Sequence, residues 1–296
     1  MIAQTTVATT RWKMFGRHDG RTVAVLGGIS AGRAVCNEQG IAGWWGNIAG
    51  DGCAIDTRTT RVIGIDYLGS ELTRDDSPQI ITTRDQAEAL ASVLDVLGIA
   101  RLHALVGSSY GGMVALAFAS LFPERVGRLV VFGAADRPHP MATAVRTVQR
   151  RIVALAVAAG RPDEGVALAR ALAMTTYRTP DELAARFTEA GEVEGWLDHH
   201  GEKFAAAWTP ARYATLSRSI DLHAVDPGTI STPVTLVSFS GDAIAPPAQI
   251  RALANRLAGD ATLHEIETPY GHDAFLKEAG IVADILKRSL EQDTSS

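Results

Sequence analysis

Short apolar runs recur along this chain at residues 22–26, 61–67, 102–106, 128–132, 233–240 and 261–266. Each is short, and most are apolar at nearly every position rather than at alternate ones. That is the pattern of parallel strands covered on both faces. Helical patterns lie between them. Over residues 84–97, Ala87, Leu90, Ala91, Leu94 and Leu97 fall on one stripe, and Gly98 follows as a stop. Strands alternating with helices predict a doubly wound α/β sheet. The alternation breaks off between about 137 and 220, where residues 141–159, 163–173, 180–190 and 210–219 read as helices without an intervening strand. The expected organisation is an α/β core of residues 1–136 and 221–296, with a helical cap of residues 137–220 inserted in it. A last helix is expected over 274–290, and the polar tail 292–296 is expected to be disordered.

The most informative segment is 102–122, LHALVGSSYGGMVALAFASLF. A strand enters Gly107-Ser108-Ser109-Tyr110-Gly111, and an alanine-rich helix leaves it. Gly-x-Ser-x-Gly between strand and helix is the nucleophile elbow, with Ser109 at its tip. The backbones around such a turn run close together, so a Cβ at Gly107 or Gly111 would clash. The Tyr110 amide and the positive end of the helix dipole face a developing oxyanion. A glycine-rich turn without chemistry is the competing reading.

Partners for Ser109 follow in the order this motif requires, acid and then histidine. Asp242 sits in the loop after the strand at 233–240, where acids are placed in open α/β sheets. His272 sits on a glycine turn before the last helix. A serine hydroxyl is a weak nucleophile and needs a base, the role of His272, while Asp242 would hold the imidazole tautomer. An Asx-turn for Asp242 and a helix cap for His272 are the plainer alternatives. His18, His103, His139, His199, His200, His223 and His264 read as surface or structural residues. A second oxyanion donor is expected after the first strand, from the Gly28 or Ile29 amide in Gly27-Gly28-Ile29-Ser30-Ala31-Gly32.

Composition narrows the function classes. The 296 residues are 46% hydrophobic with a net charge of −5, so nothing points to nucleic acid. No apolar run reaches the length of a membrane span, and residues 1–15 lack the continuous apolar core of a signal peptide. Two cysteines, Cys36 and Cys53, suit a reducing cytoplasm and suggest neither a disulfide framework nor a cysteine-rich metal site. Arg146, Arg150 and Arg151 form a basic cluster that either meets an anion or lies on a solvated helix face.

Beyond the elbow, several segments carry a family resemblance. They are Gly27–Gly32, Gly107–Met113, Thr176-Tyr177-Arg178-Thr179, Leu197–Phe204, Arg218–Leu222 and Tyr270–Leu276. With them the chain resembles the homoserine O-acyltransferases of the α/β-hydrolase fold over about residues 27–277. Gly43–Gly46 and Asp136–Ala144 resemble the succinyl-transferring branch.

The resemblance implies a two-step acyl transfer in methionine biosynthesis. Succinyl-CoA, or acetyl-CoA, would be a co-substrate rather than a permanently bound cofactor. Ser109 would take the acyl group from the thioester, and the side-chain hydroxyl of homoserine would take it from Ser109. It further implies Asp273 as partner of the homoserine ammonium, Arg178 as partner of its carboxylate, and a homodimer formed through the cap helices. An N-terminal helix carboxylate and a cap salt bridge are the alternatives for Asp273 and Arg178. Trp44 and Trp45 either wall the acyl pocket or simply pack. Only about twenty residues precede the first core strand, so the family's N-terminal antiparallel strands are expected to be truncated. An esterase or thioesterase with the same three residues, and a non-catalytic binder, are the competing classes.

Overall fold

A computed structural model describes residues 10–291. The expectations for residues 1–9 and for the tail 292–296 lie outside it. A seven-stranded sheet forms the core. Its strands in chain order are β1 (Trp12–Gly16), β2 (Arg21–Leu26), β3 (Thr60–Ile65), β4 (Ala104–Ser108), β5 (Leu129–Phe132), β6 (Val234–Phe239) and β7 (Ala261–Ile266). Across the sheet they run β1-β3-β2-β4-β5-β6-β7. All neighbours are parallel except β1, which pairs antiparallel with β3, Met14 opposite Ile63.

The near-continuous apolar strands are explained by two covered faces. In β4, Leu105 joins one core and Ala104 and Val106 the other; in β5, Leu129 and Val131 oppose Val130 and Phe132 in the same way. The first core is closed by α1 (Thr83–Val96) and α2 (Tyr110–Leu121). The second takes in Trp45, Ile48 and the C-terminal helix.

The segment between β5 and β6 carries no strand. Its helices are α3 (Pro140–Ala158), α4 (Pro162–Tyr177), α5 (Pro180–Arg186), α6 (Ala190–Ala205) and α7 (Pro210–Asp221). Proline opens all but α6, at the first helical position, where its missing N–H costs nothing. Thr179 and Thr209 cap α5 and α7 through their side chains. Helix α4 packs against α3, α6 and α7, and also touches the turn that carries His272. After β6 come α8 (Pro247–Ala254), α9 (Ala274–Lys277) and α10 (Ala279–Glu291).

The structure departs from the sequence reading in four places. Residues 12–16 form an edge strand, so one antiparallel strand precedes β2. The strand before Ser109 begins at Ala104 and runs through Ser108, two residues later than expected, because Leu102 pairs only with Val126 in an isolated bridge. The helix expected over 180–190 stops at Arg186, and a second one starts at Ala190 with a Glu189/Glu192 capping box. The helix expected over 274–290 breaks at Glu278, whose carboxylate accepts the Thr268 hydroxyl at 2.6 Å. Among the described residues, no helix is long and apolar enough to cross a membrane.

Candidate active site

The elbow is built by crowding. A Cβ at Gly107 would lie 2.4 Å from the Gly111 carbonyl oxygen, and one at Gly111 would lie 2.3 Å from that of Leu26. With both glycines, β2, β4 and α2 meet without side chains between them. Ser109 then takes φ 54° and ψ −120°, one of two positive-φ non-glycine residues among those described. Such a backbone costs about 1–3 kcal/mol. The Ser109 amide donates to Phe132 O at 2.8 Å, and its carbonyl accepts from Gly112 and Met113. This leaves the hydroxyl at the carboxyl end of β4, where the strand order switches direction between β2 and β4.

Two distant segments meet that hydroxyl. His272 Nε2 lies 2.8 Å from Ser109 Oγ, and Nδ1 lies 2.8 Å from Asp242 Oδ2. A carboxylate only accepts, so Nδ1 donates, which leaves Nε2 to accept the serine proton. The other Asp242 oxygen accepts from the Ile244 and Ala245 amides at 2.7 and 2.9 Å. Asp242 therefore makes its Asx-turn and holds the imidazole at the same time. Asp242 and His272 are 3% and 4% exposed. Burial works against a charged imidazole, but the charge and hydrogen bond of Asp242, with the charge of Asp273, outweigh it; the nearby Arg146 charge opposes them. The net effect raises the His272 pKa above its ordinary 6.5. The arrangement can take a proton from Ser109 and hold it on a stabilised imidazolium.

The glycine loop after β2 lies against the serine, with a Cβ at Gly28 falling 3.9 Å from Ser109 Cβ. The Gly27 carbonyl accepts from the Tyr67 hydroxyl at 2.6 Å and the Gly111 amide at 3.0 Å. In a trans peptide the next amide points the opposite way, so these two bonds also aim Gly28 N–H. Tyr67 escaped the sequence reading because nothing local marks it. Ile29 and Tyr110 line a narrow cavity beside Ser109, together with Met113, Gly133, Arg146, Tyr177, Ile244 and others. The cavity has room for roughly four water molecules.

The other expected site residues divide. Arg178 Nε bonds Asp273 Oδ2 at 2.8 Å, and its Nη1 bonds Glu182 at 3.0 Å. The structure thus brings Arg178 and Asp273 together, but neither lines the cavity. Trp44 and Trp45 stack on each other and donate to the carbonyls of Gly32 and Phe275; they pack behind the loop and do not line the cavity. Of the basic cluster, Arg151 is exposed while Arg146 and Arg150 turn inward onto Asp221. Their spacing of four, one helical turn, carried that signal.

Comparison with known proteins agrees with this architecture. Residues 33–279 match the family described as alpha/beta hydrolase fold. The chain is 40% identical to a homoserine O-succinyltransferase of Xanthomonas campestris pv. campestris, over 95% of this chain and 78% of that protein. It is 35% identical to a homoserine O-acetyltransferase of Thermus thermophilus, over 83% of this chain and 72% of that one. The crystal structure of a homoserine O-acetyltransferase from Bacillus anthracis superposes with a TM-score of 0.88, covering 96% of this chain and 92% of that one at 17% identity, a likeness of fold. The chain belongs to the α/β-hydrolase fold and, within it, to the homoserine O-acyltransferase family.

Proposed function

We propose that this enzyme transfers the succinyl group of succinyl-CoA to the side-chain hydroxyl of L-homoserine, giving O-succinyl-L-homoserine and CoA for methionine biosynthesis. The observation that carries the chemistry is the hydrogen-bonded line Ser109–His272–Asp242 at the tip of a strained elbow. The succinyl donor rests on the 40% identity to a succinyltransferase. His272 takes the Ser109 proton as Oγ attacks the thioester carbonyl. The tetrahedral oxyanion is held by the Tyr110 amide and that of Gly28 or Ile29. Collapse expels CoA thiolate, which takes the proton from His272 and leaves an acyl-serine. His272 then removes the homoserine hydroxyl proton, and the alkoxide attacks the acyl-serine. The second tetrahedral intermediate returns Ser109 with its proton.

Arg178, Asp273 and Glu182 together carry a net charge of −1. The aspartate suits the homoserine ammonium and the arginine its carboxylate, a zwitterion laid across an existing ion pair. The helices α3 to α7 act as a cap over Ser109 that excludes water, so that transfer prevails over hydrolysis. A homodimer would cover Leu155, Val157 and Leu168, exposed apolar residues on α3 and α4, and the enzyme would work in the cytoplasm.

The deciding experiment is CoA release from succinyl-CoA and acetyl-CoA, each with homoserine, serine or no acceptor. Release that needs homoserine and prefers succinyl-CoA supports the proposal. Release indifferent to acceptor means a thioesterase. Ser109→Ala should abolish acyl-enzyme formation with the circular dichroism spectrum unchanged; retained turnover would overturn the mechanism.

A further inference from the structure

The two loops that meet Ser109 are joined at their roots. Just past β6 and β7, Ser240 Oγ donates to the Thr268 carbonyl at 3.0 Å and accepts from the Thr268 amide at 2.8 Å. Beyond those roots, among the described residues, the only hydrogen bond between loop 241–246 and turn 269–273 is the one from His272 Nδ1 to Asp242. A reacting pair keeps its geometry only when the groups around it are themselves held. Thr179, 8% exposed, supplies that hold from the short link between α4 and α5. Its Oγ1 donates to the Pro269 carbonyl at 2.6 Å, in the turn that carries His272, and accepts from the Glu182 amide at 3.1 Å, the N-cap bond of α5. Its Cγ2 methyl covers the glycines that precede acid and base. A Cβ at Gly241 would lie 2.5 Å from that methyl, and one at Gly271 would lie 3.5 Å from it and 3.3 Å from the Gly241 carbonyl oxygen. Both glycines have positive φ, 67° and 54°, a backbone that side chains resist. No side chain therefore separates the three segments, and one threonine touches the residue before Asp242 and the residue before His272. Its neighbour Arg178 bonds Asp273, the residue after His272, so the same link brackets the base on both sides.

We infer that Thr179 is a positioning residue that holds the acid loop and the base turn together, so that the line Ser109–His272–Asp242 is complete only while the link between α4 and α5 is seated on both. The inference rests on those three residues being the reacting line, and not on which acyl donor or acceptor the enzyme uses. The hydroxyl sets the position of the His272 turn through Pro269, and the methyl fills the space that the two glycines leave open. Four groups face the His272 ring. Asp242 comes from the loop after β6, Asp273 from the turn itself, Arg146 from α3, and the Tyr177 ring, 5.9 Å away, from the end of α4. Thr179 touches none of the reacting atoms, and it acts through the placement of Asp242 against the imidazole.

The test uses a fluorophosphonate and neither CoA nor homoserine. Ser109 Oγ bonds the phosphorus, fluoride leaves, and the hydroxyl proton passes to His272, so the labelling rate reports the reacting line alone. That rate would be followed against pH, with the melting temperature, in the unmodified enzyme, Thr179→Val, Thr179→Ser and Thr209→Val. Thr209 is the control, because it caps α7 and donates to the Leu72 carbonyl at 2.8 Å, the same two bonds away from the catalytic loops. In Thr179→Val the limiting rate should fall about tenfold or more. The midpoint of its pH profile should also move down toward 6.5, because Asp242, which raises the imidazole, is held less closely. Thr179→Ser keeps both hydrogen bonds and should recover most of the rate. Thr209→Val should lose melting temperature while keeping rate and midpoint. A labelling rate constant does not depend on how much of a preparation is folded. An unchanged rate in Thr179→Val, or a lower rate with an unmoved midpoint, would overturn the inference. Equal losses in Thr179→Val and Thr209→Val would overturn it too, making the effect one of general stability. An unmodified enzyme that is not labelled at Ser109 would overturn the reading of the reacting line beneath it.

Discussion

His272 carries opposing demands in one ring. As a base it must be neutral before reaction, and as an acid afterwards it must be charged. Its raised pKa sets the pH at which the free enzyme becomes competent. Below that value the imidazole is protonated and cannot accept the Ser109 proton, so kcat/KM should rise with pH along a limb whose midpoint lies above 6.5. Asp242→Asn should lower kcat by about 10⁴-fold, the loss seen when such an acid is neutralised and the wrong tautomer is favoured. A pH–rate profile and a single-turnover rate check both; a midpoint below 6.5 in the unmodified enzyme would contradict the first. At this scale much was readable from the chain. Ser109 lies between Gly107 and Gly111 at the end of a strand, and Asp242 and His272 each directly follow a glycine in the loop after one, a local signature. Tyr67 has none, and its bond to Gly27 exists only because β3 ends next to β2.

Elements explain why the glycines are fixed. Between β2, β4 and α2 the clearance is set by backbone against backbone, which cannot repack as side chains do. Gly111→Ala places a Cβ 2.3 Å from the Leu26 carbonyl and should destabilise the protein by about 3 kcal/mol, at the upper end for overpacking. Chemical denaturation would read this, and a loss below about 1 kcal/mol would mean the elbow opens more readily than its contacts imply. Of the five helices between β5 and β6, four were foreseen, and each of those opens on a proline. The helix α6 was not foreseen, because it is capped by glutamate, a residue not among the preferred N-caps. The break at Glu278 was missed for another reason. Its hydrogen bond to Thr268 joins residues ten apart, and helical periodicity is blind to it.

On the scale of the molecule, His223 joins cap, sheet and helix layer. It follows α7 and is 2% exposed. Its Nδ1 lies 2.7 Å from Thr83 Oγ1 on α1, and its Nε2 lies 3.1 Å from the Ala135 carbonyl after β5. A carbonyl only accepts, so Nε2 carries a proton, and in the neutral ring Nδ1 accepts from the Thr83 hydroxyl. Burial lowers its pKa from 6.5 to about 4, against smaller effects of the Ala135 carbonyl and Asp136 that raise it. A depressed folded-state pKa means the unfolded chain binds the proton first. Stability from this group is complete above 6.5 and declines as pH falls from 6.5 toward 4, by about 3 kcal/mol in all. His272, with its raised pKa, has the opposite sign: its contribution is complete below 6.5 and is lost as pH rises through the folded value. The melting temperature should therefore fall between pH 7 and pH 4.5 more steeply in the unmodified protein than in His223→Gln. Parallel curves would remove His223 from the acid response.

The sequence by itself determined the α/β alternation, the helical interruption, the elbow and the order of serine, acid and base. Each of these is written in local pattern: apolar periodicity, proline and glycine at element ends, and a turn too crowded for a Cβ. Tertiary structure alone decided what those residues face. It turned Arg146 and Arg150 from a basic cluster into a shared ion pair on Asp221, with Arg146 at the cavity wall. It tied Arg178 to Asp273, and it placed Trp44 and Trp45 behind the loop rather than in the cavity. The reason is range. Partners 75 and 95 residues apart leave no periodic trace in the chain: Arg146 meets Asp221 only when α3 packs against α7, and Arg178 meets Asp273 only when the segment after α4 reaches the turn that carries His272.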